Sequence, residues 1–127
     1  MSKIFFVDDD SMMRNVFEKA FKLYGHEILF AKDGKEFLAE ISSAEEKPDV
    51  ILLDMMMPTM NGFDVLEKIK ENPATKDIPV ICFSNLGGSV DAEKAKRLGA
   101  TEYMVKSEYP PKQVVDKVEE IIKNSKK

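Results

Sequence analysis

The stretch Ile4-Phe5-Phe6-Val7-Asp8-Asp9-Asp10-Ser11 decides how the chain folds. Four apolar residues in unbroken succession, without the alternation of a half-exposed strand, describe a strand buried on both faces. Three acids follow at once. Then Met13, Val16, Phe17, Ala20, Phe21 and Tyr24 recur at helical spacing and form one apolar face. Ser11 is placed to cap that helix and Gly25 to end it. The unit is therefore strand, acids, helix.

The same unit recurs along the chain. Apolar runs stand at Ile4–Val7, Ile28–Ala31, Val50–Leu53, Val80–Phe83 and Tyr103–Val105. The first, third and fourth are continuous, short and rich in Val, Ile and Phe, which favours strands over buried helices. Between them lie helical patterns carried by Phe37, Leu38 and Ile41, by Phe63, Leu66 and Ile69, by Ala92, Ala95 and Leu98, and by Val114, Val115, Val118, Ile121 and Ile122. Asn72-Pro73 stops the third helix and Gly99 closes the fourth. Pro110 and Pro111 suit the first turn of the fifth, where a missing N–H costs nothing. Five strand–helix units predict an α/β fold: a parallel sheet with helices on both faces and right-handed crossovers. The flavodoxin-like (βα)5 arrangement, with strand order 2-1-3-4-5, places ligands beyond the carboxyl ends of the strands.

Composition agrees with one such domain. The chain has 127 residues, a net charge of −4, 43% hydrophobic and 33% charged residues, a soluble-globular balance. We expect a single domain over 1–127, with its core within about 3–123 and a short basic tail at 124–127. The single Cys82 excludes a disulfide framework, and the single His26 leaves too few imidazoles for a typical catalytic zinc site. No apolar run is long enough to span a bilayer, and the start lacks the features of a signal peptide, so a cytoplasmic location is expected. An acidic pI near 5.1 speaks against direct nucleic-acid binding.

The strand ends carry the chemistry. The first ends in Asp8-Asp9-Asp10, the third in Asp54 followed by Met55-Met56-Met57-Pro58, the fourth in Ser84-Asn85 and the fifth in Lys106-Ser107. In the expected strand order the first and third strands are neighbours, so Asp8, Asp9 and Asp54 crowd one pocket. Such acids either raise one another's pKa or recruit a cation, and a hard, oxygen-seeking dication such as Mg²⁺ suits them. Asp54 can then act as a carboxylate nucleophile toward a phosphoryl group. Mg²⁺ held by Asp9 and Asp54 would neutralise one equatorial oxygen, the Lys106 ammonium would pair with another, and the Ser84 hydroxyl with a backbone N–H would donate to the third. Read singly, each feature has a plainer explanation: a solvated turn leading to a helix cap for the three acids, a turn residue for Asp54, a surface lysine for Lys106 and a cap for Ser84. Their joint placement at strand ends favours the chemical reading.

Other features read as structure. Met55, Met56, Met57 and Met60 could suggest copper, since thioethers suit Cu(I), but adaptable packing of a loop explains them better. His26 reads as a surface loop residue after Gly25, Cys82 as an inert buried thiol, and Lys94, Lys96 and Arg97 as a solvated helix face. No GxxxxGK[ST] or GxGxxG phosphate loop and no calcium loop is present.

As a set, Asp8-Asp9, Asp54 with Met57-Pro58 and Asn61-Gly62, Ser84, Tyr103 and Lys106 resemble the receiver domain of two-component response regulators, of the single-domain CheY-like type. The resemblance covers nearly the whole chain. It implies a switch rather than an enzyme, catalysing only its own phosphoryl transfer and autodephosphorylation. Asp54 would accept a phosphoryl group from a sensor histidine kinase or a histidine phosphotransfer protein. Asp9, Asp54 and the Met56 backbone carbonyl would ligate Mg²⁺ (Mn²⁺ as a substitute), with Asp8 acting through a metal-bound water. Ser84 and Tyr103 would form the switch pair. The fourth helix, fifth strand and fifth helix would present the output face to a downstream protein. A monomer is expected, with dimerisation on phosphorylation left open.

Two departures stand out. Ser107 follows Lys106 where the family usually has proline, often after a cis bond. A non-proline cis bond costs about 2.5–4 kcal/mol, so a trans bond or a strained loop is expected. Asn85 follows Ser84 where a smaller residue is usual, and with Met56 and Leu86 it would narrow access to the phosphorylation site and lengthen the life of the phosphoryl group. Three alternatives compete. The first is a receiver-like scaffold that takes no phosphate. The second is an aspartate-nucleophile phosphatase, which wants a second Asp where Met56 stands. The last is a flavin carrier, for which no phosphate cradle follows the first strand.

Overall fold

The computed structural model describes residues 2–43, 45–56, 61–84 and 89–125. Its elements, in chain order, are β1 (Lys3–Val7), α1 (Ser11–Leu23), β2 (Glu27–Ala31), α2 (Gly34–Ser43), β3 (Val50–Asp54), α3 (Gly62–Glu71), β4 (Val80–Ser84), α4 (Ser89–Arg97), β5 (Glu102–Val105), a 3-10 turn at Lys106–Glu108, and α5 (Pro111–Ser125). The strands form one sheet in the order β2-β1-β3-β4-β5, and every pairing is parallel. The alternation of runs predicted the parallel sheet, and the strand order is the flavodoxin-like one that the resemblance implies.

The continuous runs are explained by the two-residue period of a strand. Ile4, Phe6, Val50, Leu52, Ile81 and Phe83 face α1 and α5, where Phe17, Phe21, Val114, Val115 and Val118 complete a core. Their neighbours Phe5, Val7, Ile51, Leu53, Val80 and Cys82 face the other way, onto Phe37 and Ile41 of α2, Val65, Leu66 and Ile69 of α3, and Ala95 of α4. Every residue of β3 and β4 is buried, because helices cover both faces. The edge strand β2 alternates more, with Glu27 and Leu29 exposed beside buried Ile28 and Ala31.

Helix ends follow local chemistry, with one correction. Asp10, not Ser11, caps α1: its Oδ1 accepts the Met12 N–H at 2.9 Å and the Met13 N–H at 3.4 Å, and Ser11 is already the first helical residue. Asp and Ser are near-equal caps, so the extended backbone at Asp10, the residue leaving the strand-end turn, decides between them. Gly25 lies beyond the end of α1 at φ +84°, in the left-handed region that favours glycine. Asn61 caps α3 by accepting the Asp64 N–H at 3.0 Å.

His26 is a second correction. It is not a surface residue: its side chain is 10% exposed, its Nε2 lies 2.7 Å from Glu119 Oε2 of α5, and its ring meets Phe21 edge-on. The turn after α1 folds back, the His26 N–H donating to Phe21 O, and this carries the imidazole against α5. Cys82 is buried as expected, and burial pushes its thiol up to about 12. Lys94, Lys96 and Arg97 are exposed, Lys94 resting over the Phe63 ring at 4.5 Å.

Candidate functional site

The parallel sheet brings the ends of four strands to one rim. Asp8 follows β1, Asp54 and Ser84 are the last residues of β3 and β4, and Lys106 follows β5. The ladder continues past the strands: the Asp8 N–H donates to Ala31 O at 3.1 Å and the Met55 N–H to Phe83 O at 2.8 Å. The carboxylates therefore stand on anchored backbone.

Carboxylate oxygens of Asp8, Asp9 and Asp54 all lie within 4.8 Å of one another. The expected crowding is present, and the three acids are not equivalent. Asp8 is wholly buried and Asp54 is 3% exposed, whereas Asp9 faces solvent. Lys106 Nζ reaches both buried acids, 2.9 Å from Asp8 Oδ2 and 3.4 Å from Asp54 Oδ2. The remaining oxygens accept backbone donors: Asp8 Oδ1 takes the Asp10 N–H at 2.9 Å and Asp54 Oδ1 takes the Met56 N–H at 3.0 Å.

The electrostatics follow. Burial pushes the Asp54 carboxyl up to about 6; the Met56 N–H opposes the rise, Asp8 adds to it, and Lys106 opposes it. Burial pulls Lys106 down, but its hydrogen bond to Asp8 and the charges of Asp54 and Asp8 outweigh that, holding it above the usual lysine range. Three carboxylates against one ammonium leave the rim short of positive charge. Its donors are carboxylate oxygens at hand for a hard cation, with one exposed acid open to water. That donor set suits Mg²⁺ or Mn²⁺ and lacks the nitrogen and sulfur that softer metals prefer.

Ser84 is 2% exposed at the end of β4. Tyr103, half-buried on β5, stands opposite Cys82 and packs with it on the α2–α3–α4 side of the sheet. Ser84 is two residues beyond Cys82, so it and Tyr103 belong to the same face of adjacent strands. Met56, half exposed, follows the buried Met55 at the mouth of the rim. Asn85 and Leu86, together with Met57, Pro58 and Met60, lie outside the described residues. No cis peptide bond occurs among the described residues, so Lys106 precedes Ser107 through a trans bond and still points into the acid pair.

Sequence reasoning found the acids and the lysine but not their division of labour. It aimed Lys106 at the acid pocket as the partner of a phosphoryl oxygen, and the ammonium bridges Asp8 and Asp54 there. The plainer reading of the three acids, a turn ending in a helix cap, holds for Asp10, which caps α1, while Asp8 and Asp9 crowd Asp54.

A response regulator receiver domain model matches residues 4–119. Protein PilG of Pseudomonas aeruginosa is 35% identical over 104 residues, covering 82% of this chain and 76% of PilG. The phosphorylated cyanobacterial phytochrome response regulator RcpA is 30% identical with a TM-score of 0.81, covering 94% of this chain and 90% of that one. The Mn²⁺-bound form of response regulator Rcp1 is 26% identical with a TM-score of 0.80, covering 95% and 91%. The chain spans about half the length of several other curated relatives, 47% of one and 49% of another. Among the described residues, no helix is long and apolar enough to cross a membrane. From residue 4 to residue 119 the match runs through all five strands and the whole acidic rim, and the chain belongs to the response regulator receiver domain family.

Proposed function

We propose that the chain is a phosphorylation-driven switch in which Asp54 accepts a phosphoryl group in an Mg²⁺-dependent reaction. One observation carries the reading: three carboxylates within 4.8 Å of one another, two of them bridged by the Lys106 ammonium. Asp9, Asp54 and the Met56 carbonyl would hold the Mg²⁺, with Asp8 acting through a water, and Mn²⁺ could replace it. Bound there, the ion supplies positive charge to the phosphoryl oxygens.

The residues of this chain do the rest. An Asp54 oxygen attacks phosphorus as the P–N bond to the donor's histidine breaks, and the imidazole leaves with the bonding pair. Burial keeps competing water away from the carboxylate and strengthens its attraction to nearby cations. Lys106 moves from Asp54 toward the new anionic oxygens while remaining near Asp8. The Ser84 hydroxyl closes on another oxygen, and Tyr103 turns into the space left behind. Two packings of one face, biased by a local charge change, make the switch. Output passes to a downstream protein through α4, β5 and α5. The donor is a sensor histidine kinase or a histidine phosphotransfer protein, and the setting is the cytoplasm. Met56, half exposed beside Asp54, restricts the approach of water and slows hydrolysis; rapid loss of phosphate from purified phosphoprotein with Mg²⁺ would count against that part.

Beryllofluoride tests the switch. With Mg²⁺ present it should shift resonances of Asp54, Ser84 and Tyr103 together. Unchanged spectra would favour a scaffold that takes no phosphate.

A further inference from the structure

We propose that Gly62 is a positioning residue for the acidic rim: lacking a side chain, it lets the first turn of α3 close on the backbone of Asp54 and Met55, and that contact sets where the Asp54 carboxylate and the Met56 peptide stand. The inference rests on the Mg²⁺-dependent reading above and adds a residue that touches neither metal nor phosphate.

The geometry is tight. A Cβ at position 62 would lie 2.5 Å from Met55 Cα, 2.6 Å from Met55 Sδ and 2.9 Å from Asp54 O. Two of those three atoms are backbone, so no rotamer change can make room. Nor is glycine needed for its dihedral freedom, since among the described residues the glycines with positive φ are Gly25 and Gly99. Space alone demands it. The Gly62 N–H donates to Met55 O at 3.2 Å, which ties the helix end to the residue after the nucleophile.

Both partners of this contact are held. The Met55 N–H is bonded to Phe83 O at 2.8 Å, which fixes it to β4. On the other side α3 is capped by Asn61 and buried through Val65, Leu66 and Ile69. A side chain at 62 must therefore move the segment 54–56 or lift the helix from it. That segment carries the Asp54 carboxylate, whose Oδ1 accepts the Met56 N–H at 3.0 Å. A shift of even a few tenths of an ångström changes the spacing of Asp54 from Asp8, Asp9 and Lys106.

Gly25 supplies the control. Its φ of +84° makes Gly25→Ala destabilising, yet it precedes β2 at the amino ends of the strands, away from the rim. Wild type, Gly62→Ala and Gly25→Ala are titrated with Mg²⁺ under native conditions and labelled with a small phosphodonor. Gly62→Ala should bind Mg²⁺ at least about tenfold more weakly, as loss of a supporting contact around a metal site does, and should label more slowly. Gly25→Ala should lose stability and keep its Mg²⁺ affinity. A folded Gly62→Ala that binds Mg²⁺ as tightly as wild type overturns the inference. Should that variant not fold, the wild-type Gly62 amide resonance decides: it moves when Mg²⁺ is added if the contact is coupled to the rim, and an unmoved amide overturns the proposal. Failure of the wild type itself to bind Mg²⁺ would instead sink the functional reading beneath it.

Discussion

At Asp54, loss of water outweighs the nearby cation. Its carboxyl is pushed up to about 6 from 3.8, so between pH 4 and 6 the folded protein holds more protons at this site than the unfolded chain. Stability then falls as pH rises through that window and levels off above it. Asp54→Asn should therefore raise the melting temperature of the metal-free protein at pH 7 and flatten its slope between pH 4 and 6, while abolishing labelling. An equal or lower melting temperature would contradict the desolvation argument. Lys106 presents the opposite case. Removing it leaves Asp8 buried without its partner, and breaking a buried pair costs about 3–5 kcal/mol. Lys106→Ala should melt well below wild type without metal, regain much of the loss with Mg²⁺, and fail to pass phosphorylation on to Tyr103. Thermal melts with and without Mg²⁺, with tyrosine fluorescence alongside, would show it.

At the scale of elements, helix ends and strand ends work together. Asp10 leaves the acidic run to cap α1, while Asp8, two residues earlier, points into the rim and accepts the Asp10 N–H. Asp10→Ala should cost about 1 kcal/mol by loss of the cap. Labelling should survive, since Asp10 is not among the crowded carboxylates. A urea titration beside a labelling assay separates the two effects, and loss of labelling in folded protein would bring Asp10 into the site. The strands were legible because apolar parity is local: Ile4 and Phe6 face one core, Phe5 and Val7 the other. The pairing of His26 with Glu119 was not, because partners 93 residues apart leave no local signal. Which of Asp8 and Asp9 is buried was equally hidden, since it depends on the path the chain takes from β1 into α1.

For the molecule as a whole, the sheet order decides function. The strand order 2-1-3-4-5 puts β1 beside β3 and so brings Asp8 and Asp9 to Asp54. The parallel sheet and its polar strand ends followed from five alternating units, while the strand order came with the flavodoxin-like resemblance. The close approach of Gly62 to Met55 did not, because it depends on how α3 docks. A rim with surplus negative charge also couples ligand binding to folding. Mg²⁺ at a hundredfold above its dissociation constant should add about 2.7 kcal/mol to stability. The gain should vanish in Asp54→Asn if Asp54 is a ligand, which calorimetric melts can read.

The most direct measurement is to incubate the protein with a small phosphodonor, with and without Mg²⁺, and to locate any adduct by mass spectrometry of intact protein and its peptides. One phosphoryl group on Asp54, formed only with the dication and absent from Asp54→Asn, is the expected result. No adduct, an adduct elsewhere, or equal labelling without Mg²⁺ would contradict the account.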